Sequence, residues 1–486
     1  MKSLNITFRH RLVIGLMIVA TAPQQLQAEI EYNVIDLGTL GGGASFAYGI
    51  NDRSQVVGSS YDADGRLQAF VWQNGLMNGL GFLPDGTQSV ARAINNHGEI
   101  TGYARLSNTF FRAFRYTGDE LENLGTLGGR RSWGYAINNH GLIAGSSEFT
   151  NARPNLSDHN SFTWLSNQFV RVRPYHNWLA CSGSGVNDHG MVCGTTFLWA
   201  SSERWWAYIW RDNNTNGLHD TGEMIVLGSL GSTNWQDYTT SGATAINNAG
   251  QVVGYTSITN ASFPQHAFLV TPSNGVWKIP NDDLPPGNEL MISLGTLDGL
   301  TNNSYANAIN DKSWIVGTST TRYGTNQAFL WRNGVMTNLN DLIVQNSGWV
   351  LTNATGINEN NEIVGSGLYQ GQPRAFLLVQ DGRITTFDWI MRTDHTEIFT
   401  NQFGTVFTQS VERVESQLIR WSGLWGDELA DQAFTLEYAD SIHNGIWKPF
   451  DPTSQWPFAG NEWTVSYGIA TVPFRFFRIR AEPSQP

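Results

Sequence analysis

Charge is scarce in this sequence. Asp, Glu, Lys and Arg make up 14% of its 486 residues, and 41 acids against 29 bases leave a net charge of −12. There is no basic run. Nucleic-acid binding draws its affinity from Lys and Arg set against phosphates, so no nucleic-acid partner is expected. Cysteine is scarcer still: Cys181 and Cys193 are the only two, and both lie too deep in the chain to carry a lipid at an N-terminal cleavage point. Past the first 28 residues no segment is apolar enough to cross a bilayer, so no membrane insertion of the mature chain is expected. The sequence has no GxSxG elbow, no HExxH and no phosphate loop. Helix-forming composition is weak.

The N-terminus has the build of an export signal. Lys2, Arg9 and Arg11 precede the apolar run Leu12–Ala22, which is too short to span a membrane, and Leu26-Gln27-Ala28 is a fitting cleavage site. Residues 1–28 hold those three bases and no acid, so cleavage before Glu29 takes the net charge to −15. The mature protein is expected to be secreted or periplasmic, and a monomer.

What the chain has in quantity is glycine (51) and tryptophan (19), a composition of short strands and tight turns. They fall into a repeat. An apolar-Asn pair occurs at Ile50-Asn51, Ile94-Asn95, Ile137-Asn138, Val186-Asn187, Ile246-Asn247, Ile309-Asn310 and Ile357-Asn358, with asparagines 44, 43, 49, 60, 63 and 48 residues apart. A run such as QVVG or EIVG follows each, then an aromatic run such as QAFVW or QAFLW, then often a glycine turn and a fourth apolar run. Asparagine opens turns by bonding its own backbone. The fourth turn position, Gly98, Gly141, Gly190, Gly250 or Asn361, suits a left-handed backbone, whereas Ser54 and Ser313 depart from the rule.

Four short strands in about 45 residues is the arithmetic of a propeller blade. Seven such units close a ring with no long free edge. The fold class is therefore all-β, a seven-bladed β-propeller over 29–388 followed by a small C-terminal β domain over 389–486, with an open β-solenoid as the alternative. The segment Tyr32–Gly42 resembles a fourth strand placed ahead of the first repeat, and would latch the ring by completing the blade begun by residues 352–380; residues 382–388 compete for that place. Phe70, Phe114, Phe162, Phe268, Phe329 and Phe376 recur with the repeat and are expected between blades. In the tail, Phe434–Asp440, Asn461–Gly468 and Arg475–Glu482 have strand pattern, with Trp447, Trp456 and Trp463 as an aromatic core.

The pattern resembles the bacterial extracellular HAF repeat, spelled by His266-Ala267-Phe268 and by LGTLGG at Leu37–Gly42 and Leu124–Gly129. The likeness covers roughly residues 32–388 and degrades at Asn167–Ser182. It implies a secreted bacterial repeat protein and carries no catalytic residues across.

One insert breaks the repeat. Asp212–Glu223, DNNTNGLHDTGE, spells an EF-hand calcium loop: oxygen ligands from Asp212, Asn214, Asn216, the Leu218 carbonyl, Asp220 and a bidentate Glu223, with Gly217 at the bend. It replaces the brief turn between the third and fourth strands of the fourth repeat. Three carboxylates and two asparagines predict weak binding, of the order of 0.1–1 mM, sufficient outside a cell. The loop brings no base or nucleophile, so a structural calcium is expected. A partial echo, Asp62–Gly65, reads as a turn.

His97, His140 and His189 share one turn position, and tips of separate blades are expected to point apart. A two-residue register sets Cys193 opposite Ser184, roughly 10 Å along a strand from Cys181, too far for a disulfide without a bulge, although an oxidising compartment permits one. The expected function is a non-catalytic binding or scaffold propeller for an extracellular glycan or protein. The alternative is a polysaccharide hydrolase or lyase, since propeller active sites draw residues from many blades. A channel lined by carboxylates, His or Tyr would favour the enzyme, and one lined by Gly, Ala and Ser the binder.

Overall fold

The computed structural model describes residues 32–380, apart from loop segments at 108–109, 151–158, 174–179, 200–201, 215–219, 221, 231–238, 260, 279–286, 300–301 and 345–346, together with seven strands beyond residue 380. Seven four-stranded antiparallel sheets follow one another as blades: 41–79, 86–125, 128–172, 180–228, 241–295, 304–338, and 349–380 completed by Tyr32–Asp36. In each of the first six blades the strands lie side by side in chain order.

The seventh blade settles how the ring shuts. Tyr32–Asp36 pairs antiparallel with Gln372–Gln380, in register from Tyr32 opposite Gln380 to Asp36 opposite Phe376. The other contender, Ile384–Met391, pairs with Val414–Trp421 instead. Tyr32 is fully buried, and its N–H reaches the Leu342 carbonyl at 2.7 Å.

The repeated asparagine opens a tight hairpin. Asn138 N–H donates to the Leu142 carbonyl and Gly141 N–H returns to that of Asn138, a three-residue loop in which Gly141 is left-handed at φ +77°. The loop thus closes on the fifth residue rather than the fourth. Ser54 and Ser313, the exceptions in the sequence, take the same conformation at φ 58° and 62°.

Packing explains the glycine of the second strand. A Cβ on Gly145 would stand 2.0 Å from the Trp133 carbonyl oxygen and 2.8 Å from the Phe162 ring. The bare glycine lets the blade's aromatic ring lie flat on the sheet. All six repeat phenylalanines are fully buried, as the pattern predicts. They sit in clusters shared by neighbouring blades: Val57, Ala69 and Leu80 of the first pack with Ala91, Ile94, Ile100 and Phe114 of the second. Seven wedges each covering the next bury both faces of every sheet, which one four-stranded sheet cannot do alone.

A serine six residues before the asparagine clips adjacent blades. Ser89 Oγ accepts from Ala69 N–H at 2.9 Å and donates to the Gly81 carbonyl at 2.6 Å. Ser45, Ser132, Ser241 and Ser304 do the same at their seams. In the fourth blade this position is Cys181, whose Sγ accepts from Ser161 N–H and donates to the Val172 carbonyl. Cys181 and Cys193 are both free and buried. A register shift between Gly183 and Gly185 sets Cys193 opposite Gly185, not Ser184, and Cys181 opposite Thr196. Burial pushes both thiols up to about 12, so they stay protonated.

Beyond the ring, Ile384–Met391, Ile398–Phe399, Val414–Trp421 and Glu462–Ser466 make one sheet, and Ala433–Ala439, Lys448–Pro449 and Phe476–Glu482 another. The three tail strands read from sequence are thus present, within a residue or two at their ends. The side chains of Trp447, Trp456 and Trp463, like the export signal, lie outside the described residues. Among the described residues no helix is long and apolar enough to cross a membrane.

Candidate functional site

The asparagine turns converge on the propeller axis. Each Asn Oδ1 accepts the N–H four residues on, which holds the turn. Each Asn Nδ2 donates to the main-chain carbonyl of the next blade's asparagine. The chain of bonds runs Asn51, Asn95, Asn138, Asn187, Asn247, Asn310, Asn358 and back to Asn51, at 2.9–3.1 Å throughout. A closed ring of seven buried carboxamides therefore ties the blades. The tips were expected to point apart; they are instead bonded to one another, because the hairpin joins the strands nearest the axis. The signal for this lay in the sequence. Asp, Ser or Thr would open such a turn equally well, but only Asn adds an N–H donor to the acceptor.

The next residue builds a second ring above the first. The N–H groups of Asp52, Asn96, Asn139, Asp188, Asn248, Asp311 and Glu359 each donate to the side-chain oxygen of the same position in the following blade, at 2.7–3.0 Å, closing from Glu359 to Asp52. The amides of Asn96, Asn139 and Asn248 also bond carboxylates beside them. These residues, with the preceding Ile or Val, surround an axial cavity of about 430 Å³.

The ring is uneven. Asp311, Glu359 and Asp52 follow one another with no amide between them. Burial, reinforced by the charges of Asp311 and Asp52, raises the Glu359 carboxyl above the ordinary glutamate range. His97, His140 and His189 stand exposed beside the ring, and no group of three metal-ligating side chains occurs among the described residues.

On the first strand of each blade, three residues before the asparagine, the register shifts and one residue bulges. In the fifth, sixth and seventh blades this residue is spent on the seam. Thr244 Oγ1 donates to the Ala306 carbonyl, Asn307 Nδ2 to that of Ala354, and Thr355 Oγ1 to that of Ala47. In the first three blades the position holds Tyr48, Arg92 and Tyr135. The Arg92 guanidinium lies 4.6 Å from the Tyr48 ring centroid and 5.9 Å from that of Tyr135. Sequence reading passed over this trio because a single arginine between repeats carries no motif.

The calcium-loop candidate sits where expected, at the tip joining Ser202–Trp210 to Met224–Gly228. Glu223 is buried; its carboxylate accepts Asn213 N–H at 2.9 Å and Asp220 N–H at 2.8 Å, gathering both ends of the loop. Asn214 Nδ2 donates to Asp220 at 2.7 Å. Asp212, Asn214, Asp220 and Glu223 all carry hard oxygens, and each Glu223 oxygen keeps a second lone pair, but the three carboxylates are not gathered into one metal-ligating group among the described residues. Asn216 and Leu218 lie outside the described residues. Asp62, the partial echo, caps a tight turn by accepting from Asp64 and Arg66 N–H.

Fold and rings together define a β-propeller of seven blades, shut by a strand from before the first blade. Residues 128–407 match the model of a family described as a protein of unknown function (DUF3466), and the chain belongs to that family. No curated protein matches it. Among solved structures it is similar to the XC5397 gluconolactonase of Xanthomonas campestris, at 12% identity over 72% of this chain and 90% of that one, with a TM-score of 0.33. It is similar also to a puromycin-hydrolysing peptidase of Mycobacterium tuberculosis (10%, 80% of this chain, 61% of that one, TM-score 0.44). The β-propeller domain of the Trilobed protease from Pyrococcus furiosus is a third (10%, 61% and 97%, TM-score 0.34).

Proposed function

We propose that this protein is a secreted binding or scaffold propeller of the HAF-repeat type, holding an extracellular glycan or protein without acting on it, with one calcium ion stapling its longest hairpin. The single observation that supports binding is the division of labour around the axis. The ring carboxylates are occupied with neighbouring N–H groups, while the side chains of Tyr48, Arg92 and Tyr135 make no hydrogen bond to the next blade among the described residues and meet across the seams through the Arg92 guanidinium on both rings. A glycan array with the purified chain tests the binding; no captured glycan, and no protein partner in a crosslinking screen, would remove the reading.

A second reading, a polysaccharide hydrolase or lyase, is favoured by the axial cavity, whose lining holds Asp52, Asp188, Asp311 and Glu359 rather than Gly, Ala or Ser, and by Glu359 in particular. A carboxyl raised by burial beside two further carboxylates has the character of a general acid. Release of reducing ends from a polysaccharide panel, lost in Glu359→Gln, would establish it.

For the loop, Asp212, Asn214, Asn216, the Leu218 carbonyl, Asp220 and Glu223 would hold the ion, whose charge orders the hairpin. Calorimetric titration with calcium is expected to give heat and a raised Tm, both lost in Glu223→Gln. No heat in the natural chain would remove the site.

A further inference from the structure

We infer that the bulges on the first strands of the first three blades form a subsite for a sugar carboxylate, in which Arg92 pairs with the acid group of a uronic-acid unit. This rests on the glycan-binding reading above.

The repeat supplies its own control. Thr244, Asn307 and Thr355, at the position of Tyr48, Arg92 and Tyr135, each reach back to a carbonyl of the next blade. Three consecutive blades have given up that bond for two aromatics and a cation. Tyr48 and Tyr135 come from blades on opposite sides of the second, so both meet Arg92 across the seams. Tyr103, opposite Val90 in the second blade, stands close enough for Arg92 to act on its hydroxyl.

Among the described residues the guanidinium has no protein acceptor. Arg92 makes no ion pair or hydrogen bond among the described residues, and its Nε is buried without a partner. The other buried-edge arginine of the second blade, Arg115, has Glu99. The hydroxyls of Tyr48, Tyr103 and Tyr135 likewise make no hydrogen bond among the described residues. A planar cation fixed between two rings, with three free phenols around it, is a pre-set fork for a carboxylate.

The charge count selects a monoanion. One guanidinium faces a molecule of net −12 whose axial ring carries Asp52, Asp188, Asp311 and Glu359, so a doubly charged phosphate or sulfate finds too little positive charge. The neighbouring aromatics select a sugar. Trp133, two residues from Tyr135, lies 6.1 Å from Phe111, and Phe111 lies 5.7 Å from Tyr103. These rings extend the site with a surface on which the C–H face of a pyranose stacks, and Tyr hydroxyls beside it serve the ring hydroxyls.

The test is calorimetric titration of the full chain with tetragalacturonate and with its methyl ester, for the natural protein and Arg92→Met, with Tm as the folding control. The free acid is expected to bind, and either esterification or Arg92→Met to weaken it about tenfold or more. Equal binding of acid and ester by the natural protein would overturn the inference, and that comparison needs no variant should Arg92→Met fail to fold. Unchanged binding in a folded Arg92→Met would overturn it too. Capture of neutral glycans alone would overturn this subsite while sparing the binding reading. Arg92-dependent binding of tetraglutamate in place of the uronate would overturn the choice of a sugar. Binding of no glycan of either kind would overturn this subsite and the glycan form of the binding reading, leaving a protein ligand.

Discussion

At the scale of the residue, the protein turns on what a carboxamide does that its isosteres cannot. Each ring asparagine accepts within its own blade and donates to the next, so one side chain folds a turn and joins two wedges. Asn138→Asp keeps the acceptor and sets a carboxylate oxygen against the Asn187 carbonyl, 2.9 Å from the present amide nitrogen. It is expected to cost about 1–3 kcal/mol at neutral pH, read from denaturant midpoints. The new carboxyl, disfavoured in its charged form, would have a folded pKa above its unfolded one, so the loss should shrink as pH falls and the acid regains a proton to donate. Glu359 follows the same sign. With its folded pKa raised, its contribution is most favourable below the unfolded value and is lost as pH rises through the folded one. Glu359→Gln should therefore raise Tm at pH 7 and give no gain near pH 4, in paired melting curves. An amide there also restores the alternation that Asn96 and Asn248 provide elsewhere.

At the scale of the element, the seam between blades is a repeated clip, and Cys181 is its variant form. Its place six residues before Asn187 is a serine in five other blades, which is why the thiol is buried and bonded rather than bridged. Cys181→Ser is expected to leave Tm within about 2 °C. Cys181→Val removes the donor and strands Ser161 N–H and the Val172 carbonyl, at a cost of about 1–3 kcal/mol by chemical denaturation. Free-thiol titration under denaturing, non-reducing conditions should find two thiols per chain. The left-handed serines belong to this scale as well. Ser54 and Ser313 accept a strained backbone, and each returns a hydrogen bond across a seam, to Glu362 and to Gln251, at 2.7 Å.

At the scale of the whole molecule, the ring closes through one five-residue strand held by the first part of the chain. Tyr32–Asp36 supplies the outer edge of the seventh blade, and the Arg374 guanidinium (Nη1) donates from that blade to the Gly43 carbonyl of the first at 2.9 Å. A chain starting at Gly41 leaves the edge of Gln372–Gln380 unpaired and the core beneath Tyr32 open. It is expected to lose about 3–5 kcal/mol or more, the cost of emptying one large buried aromatic site, and to aggregate through the bare edge. Size-exclusion chromatography and melting of the truncated chain check this. A truncated chain as monomeric and as stable as the full one would mean that the latch contributes nothing.

The sequence by itself determined the blade count, the strands, the left-handed turn position and the aromatic core, because each follows from neighbours a few residues apart: alternation, turn chemistry, a glycine under a ring. It placed the calcium-type loop at a hairpin tip for the same reason. Only the tertiary structure decided which strand latched the ring, that seven asparagines join hands around the axis, and that Tyr48, Arg92 and Tyr135 meet. Those pairings span from about 43 to over 300 residues of chain, and no local preference encodes a distance that long. They exist because the wedges close on themselves and bring equivalent positions face to face.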